Sequence, residues 1–149
     1  LYQNAVQNFA LAPNNLTDAP ELCIEYLKTV PTEWDETRLV DGMPGKYVVV
    51  ARRHRNDWYI AGVNATSDPL KLNLNVGMLA GKDVSLYSDS FTKEAKDRIK
   101  KAGKKSNKEI VFKSTDFIPD KKIVKVNDKG IITVTILPNG GIVITSASE

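Results

Sequence analysis

The stretch Tyr47-Val48-Val49-Val50-Ala51-Arg52-Arg53, then Arg55-Asn56-Asp57, then Trp58-Tyr59-Ile60-Ala61-Gly62-Val63, decides the fold class. Both arms are rich in β-branched and aromatic residues, which fit a pleated, half-buried surface. The polar triplet between them is a tight turn, so the arms read as a β-hairpin. Upstream, Trp34 to Val40 reads as a strand and Asp41 to Gly45 as a turn or loop. Downstream, Leu70 to Val76 alternates, with its leucines on one face. Asp83 to Tyr87, Ile110 to Phe112 and Ile123 to Val126 are further short strands. Ile131 to Leu137 and Ile142 to Thr145 flank Pro138-Asn139-Gly140-Gly141 and read as a second hairpin. Many short strands with regular turn signals point to a mainly β fold, an antiparallel Greek-key β-sandwich. No helical pattern alternates with strands after Pro31, which argues against a parallel α/β sheet.

The first thirty residues have a different period. Tyr2, Ala5, Val6, Phe9 and Ala10 recur at helical spacing over 1–12, and Pro13-Asn14-Asn15 breaks the pattern. Thr17 or Asp18 then reads as an N-cap ahead of Pro20 and Glu21. Leu22, Cys23, Tyr26, Leu27 and Val30 form an apolar face, and Pro31 ends the helix. Two such helices fit a free-standing sandwich poorly. They are expected to be the end of a preceding domain, which divides the chain into 1–30 and 31–149. There is no internal repeat and no low-complexity linker.

The chain's 149 residues suffice for one domain with a core, and 42% hydrophobic and 26% charged residues are those of a globular protein. No run approaches the roughly 18 apolar residues of a membrane helix, so no membrane partner is expected. The chain opens on Leu1 without a secretory leader pattern, and its start reads as a processed or internal end. The net charge of +3 is uneven: Lys93, Lys96, Arg98, Lys100, Lys101, Lys104 and Lys105 lie close together. Thr92 to Lys105 is a helix or a long loop. It carries no aromatic to stack on a base, so it reads as a solvated face and no nucleic-acid partner is expected. The single Cys23 excludes an internal disulfide and a multi-cysteine metal cluster, and the single His54 excludes a three-histidine zinc site.

The segment from Val30 to Gly62 carries a family signature. It contains Val30-Pro31-Thr32-Glu33-Trp34-Asp35-Glu36-Thr37, then Gly45-Lys46-Tyr47 leading to Ala51-Arg52-Arg53, then Trp58-Tyr59-Ile60-Ala61-Gly62. This resembles the C-terminal region of glycoside hydrolase family 97, bacterial α-glucosidases and α-galactosidases. There a helix running into a "VPTxWDET" strand joins the catalytic (β/α)8 barrel to a terminal sandwich. Leu86-Tyr87-Ser88-Asp89 and Leu137-Pro138-Asn139-Gly140-Gly141 are similar to later family segments, and the basic stretch is a looser match. The resemblance implies a non-catalytic sandwich whose partners are the parent's catalytic barrel and further copies of the chain. The two N-terminal helices would then be left over from that barrel. It also implies a periplasmic or secreted bacterial protein. The catalytic carboxylates and the glutamates holding calcium would lie outside this chain, which itself needs no cofactor and is no enzyme alone.

Asp35-Glu36 is the tempting acid pair. Adjacent strand residues point to opposite faces and cannot flank one glycosidic bond. Their expected partners are Arg38, Arg52 or Arg53. Trp34, Trp58 and Tyr59 are the candidate interface or sugar-stacking residues, because a flat aromatic face matches a sugar ring. Core or domain-interface packing is the competing role. Exposed and binding oligosaccharide, they would make the chain a carbohydrate-binding module. Buried, they leave it a structural and oligomerisation domain.

Overall fold

The computed structural model describes residues 15–102 and 112–146. A single helical turn, α1 (Asn15–Asp18), leads into α2 (Glu21–Thr29). The strands are β1 (Glu36–Met43), β2 (Tyr47–His54), β3 (Asp57–Asn64), β4 (Leu70–Asn75), β5 (Asp83–Phe91), β6 (Phe117–Lys125), β7 (Ile131–Ile136) and β8 (Gly141–Thr145). A third helix, α3 (Lys93–Ala102), lies between β5 and β6. The helix expected over 1–12 falls outside the described residues.

All strand pairs are antiparallel. One sheet has six strands in the order β1-β2-β3-β8-β5-β6, and the other pairs β4 with β7. The sheets face each other over one core. Val49, Ile60, Ile142 and Ile144 from the larger sheet meet Leu72, Leu74, Val134 and Ile136 from the smaller. This is a sandwich of unequal sheets, mainly β as the alternating pattern implies.

The β2–β3 hairpin forms in full register from Tyr47↔Asn64 to His54↔Asp57. Its turn is tighter than the polar triplet suggests, with Arg55 at φ 53. Four expectations need correction. The second hairpin does not form: β7 pairs with β4, and β8 crosses to the larger sheet. In that place β8 bonds to β3 on one side and β5 on the other, two ladders where a hairpin would supply one. The crossing is pinned by Asn64 N–H to the Gly140 carbonyl and Asn139 N–H to the Thr66 carbonyl.

β1 begins later than Trp34 and runs through Asp41-Gly42, with a register shift between Leu39 and Asp41. A bulge of one residue preserves pairing across what reads as a turn. Phe112 belongs to no strand and its ring stacks on Phe91 at 5.1 Å. β6 starts at Phe117, six residues before the expected Ile123, and includes Pro119, which hides its first part in the sequence. A proline is tolerated there because β6 is an edge strand.

Candidate functional site

β3 is the centre of the site. Its inner residues, Trp58, Ile60 and Gly62, face the core, and Tyr59, Ala61 and Val63 face outward. A side chain on Gly62 would meet Ile136, Ile142 and Val49 at 3.1–3.2 Å, so the motif glycine sits where the sheets come closest. Tyr59 and Ala61 are nonetheless buried, at 4% and 3% exposure, although they point away from the core. Something covers them, and it is the helix before the sandwich.

α2 lies over the outer face of the larger sheet. The Tyr26 and Tyr87 rings are 5.0 Å apart, and the Tyr59 hydroxyl donates to the Thr29 carbonyl at 3.0 Å. After α2 the chain drops Trp34 edge-on to Tyr59, ring centroids 5.2 Å apart, with the Arg52 guanidinium 5.7 Å from the Trp34 ring. Burial, then the neighbouring Tyr59 and Tyr87, pushes the Tyr26 phenol well above its ordinary value. Between α2 and the sheet runs a cleft of about 450 Å³. Leu22, Cys23, Tyr26 and Leu27 form one wall, and Ala61, Val63, Tyr87 and Val143 are in the other.

Each candidate residue can now be placed. Trp58 is a core residue, 7% exposed, with Arg38 stacked on it, so it offers no face to a sugar. Tyr59 is covered by Trp34 and by the end of α2. Trp34 is half-buried at the junction of α2 and the sandwich. The structure brings Trp34 and Tyr59 together and leaves Trp58 on the opposite face of the sheet, and sugar stacking by Trp58 or Tyr59 is withdrawn. Arg52, Tyr26 and Tyr87 complete the junction and were not singled out by the strand pattern. Helical spacing put Tyr26 on an apolar face, but nothing in it told which surface that face meets.

The acidic dipeptide is a pair of ion-pair partners. Glu36 accepts from Arg38 at 2.5 Å and Arg53 at 3.3 Å. Arg38, foremost, holds its carboxyl below the usual range. Asp35 accepts the Arg55 backbone N–H at 2.5 Å and faces Arg53 at 3.6 Å. A general acid needs its carboxyl raised, so the environment of Glu36 has the wrong sign. His54 contacts the Glu33 carbonyl, while Cys23 lies in the cleft wall. Among the described residues no three His, Cys, Asp or Glu side chains form a group able to hold a metal ion.

A protein-family model described as "Glycosyl-hydrolase 97 C-terminal, oligomerisation" matches residues 33–146. A solved β-arabinopyranosidase is 45% identical with a TM-score of 0.75, over 97% of this chain and 19% of that one. A glycoside hydrolase family 97 enzyme from Pseudoalteromonas sp., solved with panose, shares the fold at 20% identity and TM-score 0.56, over 90% of this chain and 19% of that one. A probable retaining α-galactosidase of Streptomyces bingchenggensis is 40% identical over 65 residues, 44% of this chain and 10% of that protein. A retaining α-galactosidase of Bacteroides thetaiotaomicron is 39% identical over 51 residues, 34% of this chain and 8% of that protein. The chain therefore spans about a tenth of the curated relatives it matches. The match runs from three residues before β1 to Ser146, just past β8, and on it the chain belongs to the family of C-terminal oligomerisation domains of glycoside hydrolase family 97.

Proposed function

We propose that this chain is the non-catalytic C-terminal sandwich of a glycosidase acting on α-galactosides, with a structural and oligomerising role. The observation that carries the reading is the family match over 33–146. The carboxylates support the non-catalytic part, since Glu36 is taken up by Arg38 and Arg53, and Asp35 by Arg53 and the Arg55 backbone N–H. The substrate class rests on the two α-galactosidases and the β-arabinopyranosidase among the relatives. A β-L-arabinopyranoside has the ring configuration of an α-D-galactopyranoside without its sixth carbon, so one sugar-binding geometry serves both. The parent would act with retention, through two carboxyls about 5–5.5 Å apart in its catalytic domain. α2 would be the last helix of that domain, a (β/α)8 barrel. Any calcium would be held there too. A periplasmic or secreted bacterial setting accompanies this reading.

The test compares this chain with the longer polypeptide of its native reading frame on nitrophenyl α-galactoside, β-L-arabinopyranoside and α-glucoside, with calcium present. The chain alone should give no turnover. The longer polypeptide should prefer the galactose-configured substrates by at least about tenfold in kcat/KM. Turnover by the chain that is lost on Glu36→Gln would overturn the non-catalytic role. A preference for the glucoside would overturn the substrate class.

A further inference from the structure

We infer that Asn139-Gly140 is a modification site, where deamidation through a succinimide turns the main chain to isoaspartate, and that the seating of β8 holds this reaction off. It holds whatever reaction the parent performs. Asn139 is the one asparagine of the chain followed by glycine. Glycine has no Cβ to keep its backbone nitrogen away from the preceding side chain, and asparagine is among the thermolabile residues. The Gly140 nitrogen attacks the side-chain carbonyl carbon of Asn139. The N–Cγ bond forms, the Cγ–Nδ2 bond breaks, and ammonia leaves with the proton of the Gly140 N–H. Water then opens the five-membered ring at one of its two carbonyls. One opening gives aspartate. The other gives isoaspartate, in which the main chain runs through the former side chain.

The fold leaves the site wet but holds its peptide still. Asn139 is exposed, so water reaches its side chain. The attacking nitrogen is occupied, because the Gly140 N–H donates to the Leu137 carbonyl at 3.0 Å. Closing the ring turns the Asn139–Gly140 peptide and breaks that hydrogen bond. Both flanks resist the turn. The Asn139 N–H donates to the Thr66 carbonyl at 3.1 Å, and the Gly140 carbonyl accepts from the Asn64 N–H at 3.0 Å. β8 follows at once, laddered to β3 and to β5. The peptide is free to turn once β8 leaves the sheet.

The isoaspartyl product does not fit back. It lengthens the main chain by one methylene, about 1.5 Å. The crossing has no slack to absorb it: a Cβ on Gly140 would already lie 3.0 Å from Asp89 Oδ2 and 3.1 Å from the Leu137 carbonyl oxygen. The next residue, Gly141, pairs with Val63, and its N–H faces Asp89 Oδ2 at 3.4 Å. A longer crossing displaces β8 from the register that buries Ile142 and Ile144. A transient exit of β8 thereby becomes permanent.

The test ages the chain in mildly alkaline buffer, native and in guanidinium chloride. Peptide mapping by mass follows loss of the amide, and an isoaspartate-specific methyltransferase reads the product. In denaturant Asn139 should react faster than every other asparagine and give isoaspartate. In the native chain it should react at least about tenfold more slowly. Equal rates in the two would overturn the control by β8, and no isoaspartate at 139 in denaturant would overturn the site. The aged chains are then refolded and challenged with protease. Molecules carrying isoaspartate at 139 should be cleaved, while unaged Asn139→Asp and aged Asn139→Gly should refold and resist. Refolding of the isoaspartyl chain to full resistance would overturn the claim that the product excludes β8. Failure of Asn139→Asp to refold would do the same, since the added charge and not the added methylene would then be the cause.

Discussion

Gly62 shows what a single position contributes. In the sequence it closes the run Trp58-Tyr59-Ile60-Ala61-Gly62 and looks like the weak end of a strand. In the fold it is the point where β7 and β8 press on β3, where an added methyl group would crowd the side chains of Ile136, Ile142 and Val49 at 3.1–3.2 Å. Gly62→Ala should cost about 1–3 kcal/mol through overpacking, read as a lower urea midpoint with an unchanged slope. Asn64 two residues on is as demanding. Its side-chain N–H groups donate to the carbonyls of Asp68, Ile136 and Leu137, and its oxygen accepts from Thr66. Neither role was legible, because both depend on chain some seventy to eighty residues away. The roles of Asp35 and Glu36 were legible, since adjacent strand residues diverge whatever surrounds them.

At the scale of elements, period-two patterning located each of the eight strands at least in part, and the first part of β6 escaped because Pro119 masks an edge. Within the basic stretch, Lys93–Ala102 forms a helix, and the surprise is what anchors it. Asp116, buried at 4% exposure, accepts from Arg98 at 2.5 Å and from the Lys113 backbone N–H at 2.8 Å. Its own carbonyl accepts from Thr92 N–H, so one aspartate ties both ends of the excursion between β5 and β6. Arg98, and after it the Lys113 N–H, hold its carboxyl below the ordinary aspartate value of 3.8. A depressed folded-state value stabilises the fold above the ordinary value, and that stability is lost as pH falls below it toward the folded-state value. Acid should therefore loosen α3 in this window, and Asp116→Asn should remove that step. Helical circular dichroism followed from pH 6 to pH 2 in both proteins would check it. An identical acid profile would mean that Asp116 does not anchor α3. No sequence rule pairs an arginine with an aspartate eighteen residues later, so this anchor was invisible before the fold.

For the whole molecule, the two-layer β class followed from strand number and spacing, but the strand order did not. The Asn139-Gly140 signal looks local and is not. Hairpin chemistry describes what a turn permits, whereas two open edges on β3 and β5 determined where β8 went. That insertion has a consequence for how the protein is made. About eighty residues separate Asn64 from β8, so at 5–20 residues per second the ribosome needs roughly 4–16 s to deliver the strand that closes the sheet. Until then β3 and β5 each present an unpaired edge, the template on which nascent chains cross-associate. The nascent sandwich is an acceptor waiting for its donor strand. A chain ending at Pro138 should aggregate, and a synthetic peptide of residues 139–146 supplied in trans should return it to solution by strand addition. Light scattering with and without the peptide checks this, and a truncated chain that stays clear and folded alone would show that the keystone strand is dispensable.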